Sequence, residues 1–330
     1  MKICIPNKLN DIGGPSIFAR KLAKGLIEKG IEITYDINDE FDIALILVSY
    51  SIKELRKLKK RNKKIVLRLD GVMTKACSWK YWFDNLKPRI IFKKYADYVI
   101  YQSEYSKYLV NNYFGENDTP YKLIYNGVDL NKFSNVGERI KKFNKNDLNL
   151  FTVSSFRREQ QLKPMIEAYK ILKRRINNIK FYIAGPISDD INYLKEKKVA
   201  GLSFLGKVDN KSIPKYSRAA DIFVFSTLNP PCPNAVIEAL GCGLPIAGYE
   251  TGAMEELVGE NAGVLASNSY DNLDKFINGD PKLLADAIEN IYKNLGYYKK
   301  QARLRAEEKF SIDFMVDKYI DAFKETLGLD

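Results

Sequence analysis

Histidine is absent from the 330 residues. The side chain that titrates nearest neutrality is therefore unavailable, and any acid–base chemistry must use a carboxylate, a lysine, a tyrosine or the substrate itself. Cysteine is scarce: Cys4, Cys77, Cys232 and Cys242 are widely spread and form no CxxC pair. Together with the missing histidine, this argues against a zinc site and predicts buried free thiols in a reducing cytoplasm. Long apolar runs are also missing. "IALILV" (43–48) is among the longest and falls far short of the roughly 20 residues that span a bilayer. The opening "MKICIPNK" has no apolar h-region, so nothing points to secretion. Acidic residues are the minority, 41 against 53 basic, for a net charge of +12. That excess predicts an anionic partner: phosphate groups, nucleic acid or a lipid surface. No nucleic-acid module is visible, so nucleic acid is not expected.

The chain is long enough for about two domains at ~100–200 residues each. Short β-rich runs alternate with amphipathic helical stretches. The first half has "KICIP" (2–6), "IEITY" (31–35), "IALILV" (43–48), "KIVLRL" (64–69), "DYVIYQ" (97–102) and "KLIYN" (122–126). The second has "LFTVSS" (150–155), "KFYIAG" (180–185), "GLSFLG" (201–206), "DIFVFS" (221–226), "LPIAGY" (244–249) and "AGVLA" (262–266). Strands that alternate with helices predict parallel sheets covered on both faces. The expected fold class is α/β, with two Rossmann-like domains whose parallel sheets face a cleft. Residues 1–135 would form the first domain, 136–147 a linker, 148–309 the second domain, and 310–330 a terminal helix.

In such sheets ligands collect at the carboxyl ends of strands, next to helix N-termini. Four places meet that rule. The pair Gly13–Gly14 follows the first strand, and suits either a close phosphate approach or a tight turn. Arg157 and Arg158 follow a strand and precede a helical pattern. They suit a diphosphate, or stand as solvated loop arginines. Glu238 interrupts the apolar run of "NPPCPNAVIEALGCGLPIA" (229–247). A carboxylate there can grip a vicinal diol such as a ribose 2′,3′ pair, or lie on the exposed side of an amphipathic helix. Asp70 ends "LRLD" before Gly71, as a carboxylate facing the cleft or a turn-forming Asp-Gly.

The basic run "KELRKLKKRNKK" (53–64) and the aromatic–basic "CSWKYWFDNLKPRIIFKK" (77–94) suit an anionic membrane surface. The first also reads as a solvated helix face, and the second as an acceptor platform or a core helix. The acidic "DINDEFD" (36–42) lacks the central glycine of a calcium loop.

Several stretches together resemble glycosyltransferase family 4, a GT-B family: "GGPSIFARKLAKGLIEKG", "ADYVIYQSEYSK" (96–107), "IYNGVDLNKF" (124–133), "YSRAADIFVFST" (216–227) and "PNAVIEALGCGLPIAGYETGAMEELV" (233–258). The resemblance covers nearly the whole chain. It implies a retaining transferase that moves a sugar from a nucleoside diphosphate sugar to a saccharide or lipid-linked acceptor, in surface polysaccharide or glycoconjugate synthesis. It implies no cofactor and no metal, which fits the absence of a DxD motif.

By position, the resemblance makes Glu238 the ribose-binding second acid of an E-x7-E motif and Arg157 the diphosphate arginine. It places Gly13, Gly14, Asn234, Ala235, Gly252 and Ala253 around the donor, and Asp70 where the family carries a pocket histidine, which makes Asp70 and Arg157 the expected catalytic residues, with inversion by an Asp70 base as a variant. The first acid of the motif is Pro230 here, and the family lysine falls on Gln160. Arg158 or Lys163 would then supply the second cation. The alternatives are a donor-binding but inactive partner protein and a sugar-nucleotide epimerase.

Overall fold

The computed structural model describes residues 1–7, 14–195, 199–267 and 278–329. The chain divides into two compact units, Met1–Gly127 with Ile312–Asp330, and Val128–Ser311. The first unit contains β1 (Lys2–Cys4), α1 (Gly14–Glu28), β2 (Glu32–Thr34), β3 (Ile43–Leu47), α2 (Ile52–Lys60), β4 (Lys64–Leu69), α3 (Tyr81–Lys94), β5 (Tyr98–Tyr101), α4 (Glu104–Phe114) and β6 (Tyr121–Leu123). The second contains β7 (Leu148–Val153), α5 (Lys163–Arg175), β8 (Ile179–Ala184), β9 (Leu202–Gly206), α6 (Ile213–Ala219) and β10 (Ile222–Phe225). It continues with α7 (Asn234–Gly241), β11 (Ile246–Tyr249), α8 (Met254–Val258), β12 (Gly263–Ala266), α9 (Pro281–Lys293) and α10 (Leu295–Lys309). The last helix, α11 (Ile312–Leu327), returns to the first unit.

Each unit holds a six-stranded parallel sheet, ordered β2-β1-β3-β4-β5-β6 and β12-β11-β10-β7-β8-β9. Strands covered on both faces read as continuous apolar runs, and every residue of β3, Ile43–Leu47, is buried. On α1, Phe18, Ala19, Leu22, Ala23 and Leu26 recur at helical spacing and are buried, forming one face. Residues Met315, Val316, Tyr319, Ala322 and Phe323 of α11 join the same core. The two helices approach closely at Gly25, where an added Cβ would lie 2.5 Å from Val316 Cγ2. A larger residue there would force the Val316 side chain to move.

The unit boundary falls earlier than expected. Residues 136–147 do not form a free linker, because the chain from Val128 onward is anchored within the second unit. Val128 bridges Ser311. Phe143 is buried and stacks on Tyr182 at 3.7 Å between ring centroids. Arg218 donates to the carbonyls of Glu138 and Ser134. Polar composition suggested a linker, but Phe143 decides the matter by burying an aromatic ring. The terminal helix likewise begins at Ile312, not 310, because Phe310 is buried in the second unit. Cys4, Cys232 and Cys242 are buried free thiols, whereas Cys77 is only half-buried.

Removing the Phe143 ring tests this boundary. Phe143→Ala is expected to destabilise the second unit by about 3 kcal/mol, as large-to-small core changes do. Urea unfolding checks it, and an unchanged midpoint would return the segment to the status of a linker.

Candidate functional site

Strand order locates the crevice in the second unit. From β7 the chain runs outward through β8 and β9. From β10 it runs the other way through β11 and β12. The loops after β7 and β10 therefore diverge, and such a switch point opens a crevice at the carboxyl ends of the strands. A cavity of about 230 Å³ lies there, lined by Arg157, Arg158, Gln160, Gln161, Thr227 and Leu228. A larger recess of about 670 Å³ in the first unit is lined by Lys64, Asp97 and Glu325. It sits at the amino ends of β4 and β5, so strand polarity, not volume, identifies the functional crevice.

Gln161 organises the smaller cavity. Its side-chain oxygen accepts from the backbone N–H groups of Arg157 at 2.8 Å and Arg158 at 3.1 Å. Its amide nitrogen reaches Thr227 Oγ1 at 3.5 Å. The Ser226 hydroxyl donates to the Gln161 carbonyl at 2.8 Å. One side chain thus sets the path of both arginines and ties their loop to the loop after β10. Sequence reasoning passed over Gln161. Its signal is the spacing of a capping glutamine, three residues after Arg158 at the entry to a helical turn.

Arg157 is exposed and Arg158 half-buried. They do not lie at the N-terminus of α5 as expected. A 3-10 turn, Glu159–Gln161, intervenes, and α5 starts at Lys163. Lys163 forms an ion pair with Glu159, which raises the lysine pKa through the hydrogen bond and the charge. Its cation is therefore partly committed within its own turn.

The loop after β10 is clasped to the loop after β11. Asn229 N–H donates to Thr251 Oγ1 at 3.1 Å, and that hydroxyl donates to Asn229 Oδ1 at 2.5 Å. Ala253 N–H donates to the Pro230 carbonyl at 2.9 Å. Gly252 has φ +60°, and an added Cβ would lie 2.6 Å from Pro230 N. Pro230, where a motif acid was expected, is thus the fixed side of a backbone clasp. The assignment of Ala253 to the donor is corrected: it is 0% exposed and its N–H is already used. Gly252 serves the clasp.

Beyond the clasp, α7 buries Val236, Ile237, Ala239 and Leu240. Asn234, Ala235 and Glu238 are half-buried, with Asn234 and Glu238 one helical turn apart on the same face. Glu238 is therefore neither sealed in the core nor on the fully solvated face. It occupies the margin, where a carboxylate can still meet a ligand.

Asp70 belongs to the first unit. It follows β4 and pairs with Arg68, which is 2% exposed. Arg68 also donates to Asn126 Oδ1 at 2.7 Å and Gln102 Oε1 at 3.3 Å, and stacks 3.6 Å from the Phe18 ring centroid. The Gln102 amide donates to the Asp70 carbonyl. Burial raises the Asp70 carboxyl above its ordinary value, and the Arg68 charge and hydrogen bond oppose the shift. Its carboxylate is engaged by the Arg68 guanidinium, so Asp70 is a bonded anchor here. An arginine inside the apolar run "KIVLRL" was the unread signal.

The switch point of the first unit lies between β1 and β3. There Val48 holds φ +61°, a strained value for a β-branched residue, and such strain gathers at ligand clamps. Asn7 braces the turn, donating to Leu47 and Ser49 carbonyls at 3.2 and 3.1 Å and accepting from Leu47 N–H at 3.0 Å. Gly14 opens α1, and Gly13 lies outside the described residues.

Four of the eight cations in the run 53–64 are paired. Lys57, Lys59, Arg61 and Lys63 pair with Glu54, Asp97 and Glu40. The stretch 77–94 differs. Asn85, Ile91 and Phe92 of α3 are buried, but Trp79 is 81%, Trp82 64% and Phe83 61% exposed. Among the described residues no helix is long and apolar enough to cross a membrane, and no group of acids and thiols is placed to hold a metal ion.

Residues 147–294, all in the second unit, match the family model described as glycosyl transferases group 1. The uncharacterized glycosyltransferase MJ1069 of Methanocaldococcus jannaschii is 27% identical over 241 residues, 68% of this chain and 60% of that protein. The chain thus spans less than two thirds of that relative's length. Anabaena Alr3699/HepE, solved with UDP and glucose, superposes with a TM-score of 0.74 at 17% identity, covering 98% of this chain and 100% of its own. Sucrose-phosphate synthase (tll1590) from Thermosynechococcus elongatus superposes with a TM-score of 0.75 at 14% identity, covering 99% of each chain. The fold is GT-B, and the match to the glycosyl transferases group 1 model lies within the second unit.

The Arg68–Asp70 pair gives a direct test of the anchor role. Asp70→Asn should cost about 2–3 kcal/mol, somewhat below the ~3–5 kcal/mol of breaking a fully buried pair, because Asp70 keeps some solvent contact. Chemical denaturation measures it. Full stability would mean that the carboxylate is not an anchor and is available for other work.

Proposed function

We propose that the protein is a retaining glycosyltransferase of family 4 that moves a sugar from a nucleoside diphosphate sugar to a lipid-linked acceptor. The observation that carries this reading is the crevice at the β7/β10 switch point. There, Arg157 and Arg158 follow one strand, and the helix bearing Glu238 follows its neighbour. Two guanidinium groups match the charge and geometry of a diphosphate. Glu238, one turn beyond Asn234, accepts hydrogen bonds from the ribose diol.

In this reading the protein positions the donor and stabilises the charge that grows on the departing diphosphate. The acceptor hydroxyl attacks the anomeric carbon on the face that the nucleotide leaves. A donor phosphate oxygen takes its proton, so no side-chain base is needed in a chain without histidine. The engagement of Asp70 with Arg68 weighs against an inverting Asp70 base. No metal or organic cofactor enters the scheme. The UDP bound by the Anabaena neighbour makes a uridine donor the first to try.

A lipid-linked acceptor is favoured over a free saccharide by the exposed Trp79, Trp82 and Phe83. Trp rings belong at a headgroup boundary. The exposed Lys80, Lys87 and Arg89 beside them suit anionic lipids. The product class is then a surface polysaccharide or glycoconjugate, made at the inner face of a membrane.

A donor-binding protein without turnover is the second reading, favoured by Pro230 and Gln160 at positions where the family carries an acid and a lysine. Turnover of a nucleotide sugar by the pure protein removes it, and acceptor-independent turnover would instead indicate an epimerase.

Calorimetry with UDP, GDP and ADP tests the donor site. One nucleotide should bind, and Glu238→Ala should weaken it by more than tenfold, roughly 1.4 kcal/mol. Equal binding by the variant would reduce Glu238 to a helix-surface residue. Vesicle co-sedimentation tests the acceptor side. The Trp79→Ser, Trp82→Ser, Phe83→Ser triple variant should lose at least tenfold in partitioning onto phosphatidylglycerol vesicles, and unchanged partitioning would refute the lipid assignment.

A further inference from the structure

A second cavity of the Val128–Ser311 unit lies at the opposite edge of its sheet. Its lining includes Ala220, just before β10, and Leu244, just before β11. It is therefore formed at the amino ends of the strands, away from the Arg157–Arg158 crevice. Its volume is about 350 Å³, within the range of small-ligand sites.

The wall is basic. Arg139, Arg218, Lys299, Lys300 and Arg303 line it, and no aspartate or glutamate does. Two of these charges are compensated nearby. Lys299 pairs with Asp221 at 2.6 Å, and Arg303 Nε with Glu307 at 2.6 Å. Arg218 donates to the carbonyls of Glu138, Ser134 and Lys132 at 2.8, 3.3 and 3.4 Å, and the Glu138 carboxylate, held mainly by Lys215, also feels its charge. The other two are not compensated. Arg139 and Lys300 are exposed and pair with no carboxylate among the described residues. Cys242 completes the wall as a buried thiol. Burial pushes it to about 12, against the pull of Arg218 and Arg303, so it carries no balancing negative charge.

A purely structural role accounts for part of this. Arg303 donates to the Gly241 carbonyl at the end of α7, where a cation suits the helix dipole. Arg218 fixes the segment around residue 138. Neither role involves Arg139 or Lys300. Gathering like charges about one cavity is unfavourable unless an anion offsets it, and guanidinium forks beside an ammonium suit phosphate oxygens.

We infer that this cavity is an anion site, separate from the nucleotide crevice, that takes a phosphate or diphosphate group. The group arrives either on a soluble phosphate ester or on a lipid headgroup. The inference does not depend on the transferase reading, since none of its residues belongs to the proposed donor site.

Inorganic pyrophosphate and phosphatidylglycerol vesicles are the probes, used at low ionic strength on the full chain. Three proteins are compared: wild type, an Arg157→Ser, Arg158→Ser variant that disables the crevice, and the same variant with Arg139→Ser and Lys300→Ser added. Both Arg139 and Lys300 are exposed, so their replacement should leave the melting temperature of the crevice variant unchanged. Pyrophosphate binding by the crevice variant should persist, and adding Arg139→Ser and Lys300→Ser should lower it at least tenfold. A fall in pyrophosphate binding alone identifies a soluble ester as the source. A fall in vesicle binding that pyrophosphate also competes away identifies a headgroup. Unchanged binding of both probes on adding Arg139→Ser and Lys300→Ser overturns the assignment, as does absence of both in wild type. Complete loss already in the crevice variant overturns it as well, by placing the anion at the nucleotide site.

Discussion

Parallel strand pairing is the constraint on which the rest depends. Among the described residues all twelve strands pair in parallel, so each connection must recross the sheet and every strand end of one polarity gathers at one edge. The functional loops need no other device to bring them together. Ser154–Arg158 and Ser226–Pro233 are far apart in sequence, yet they emerge from the neighbouring strands β7 and β10. Gln161 then fixes their separation with hydrogen bonds to both. Sheet polarity sets the edge, the switch point sets the place along it, and one amide sets the local geometry.

Much of this was legible in the residues. Apolar runs of four to six residues bounded by Gly, Pro and Asp marked the strands, because burial on both faces leaves little room for polar side chains. Periodicity could not reveal side chains that act by pairing across the chain. Arg68 looks like a defect in an apolar run until Asp70, Asn126, Gln102 and Phe18 are seen around it. Phe143 sits among Lys and Asn, and only the Tyr182 ring explains its burial. The boundary was misplaced for that reason: composition averages over neighbours, whereas one buried ring commits a whole segment.

The site shows the same division. Arg157, Arg158 and Glu238 could be picked from residue type and position. The fate of Ala253 could not, because it depends on a backbone bond to Pro230. A proline at that position looks like the loss of an acid. In three dimensions its ring and carbonyl hold the Thr251–Ala253 turn, and Gly252 yields the space. The clasp keeps the loop shape without the acid, so what Pro230 changes is chemistry at the loop and not its architecture.

The close crossing at Gly25 bears on how the chain comes to be folded. Helix α11 completes a core whose first helix was made some three hundred residues earlier. Until α11 is made, the core that α1 shares with β1 and β3 lacks one of its sides. The Val128–Ser311 unit has every strand and helix it needs before that moment. Synthesis order and folding order therefore run opposite ways: the unit that begins first finishes last.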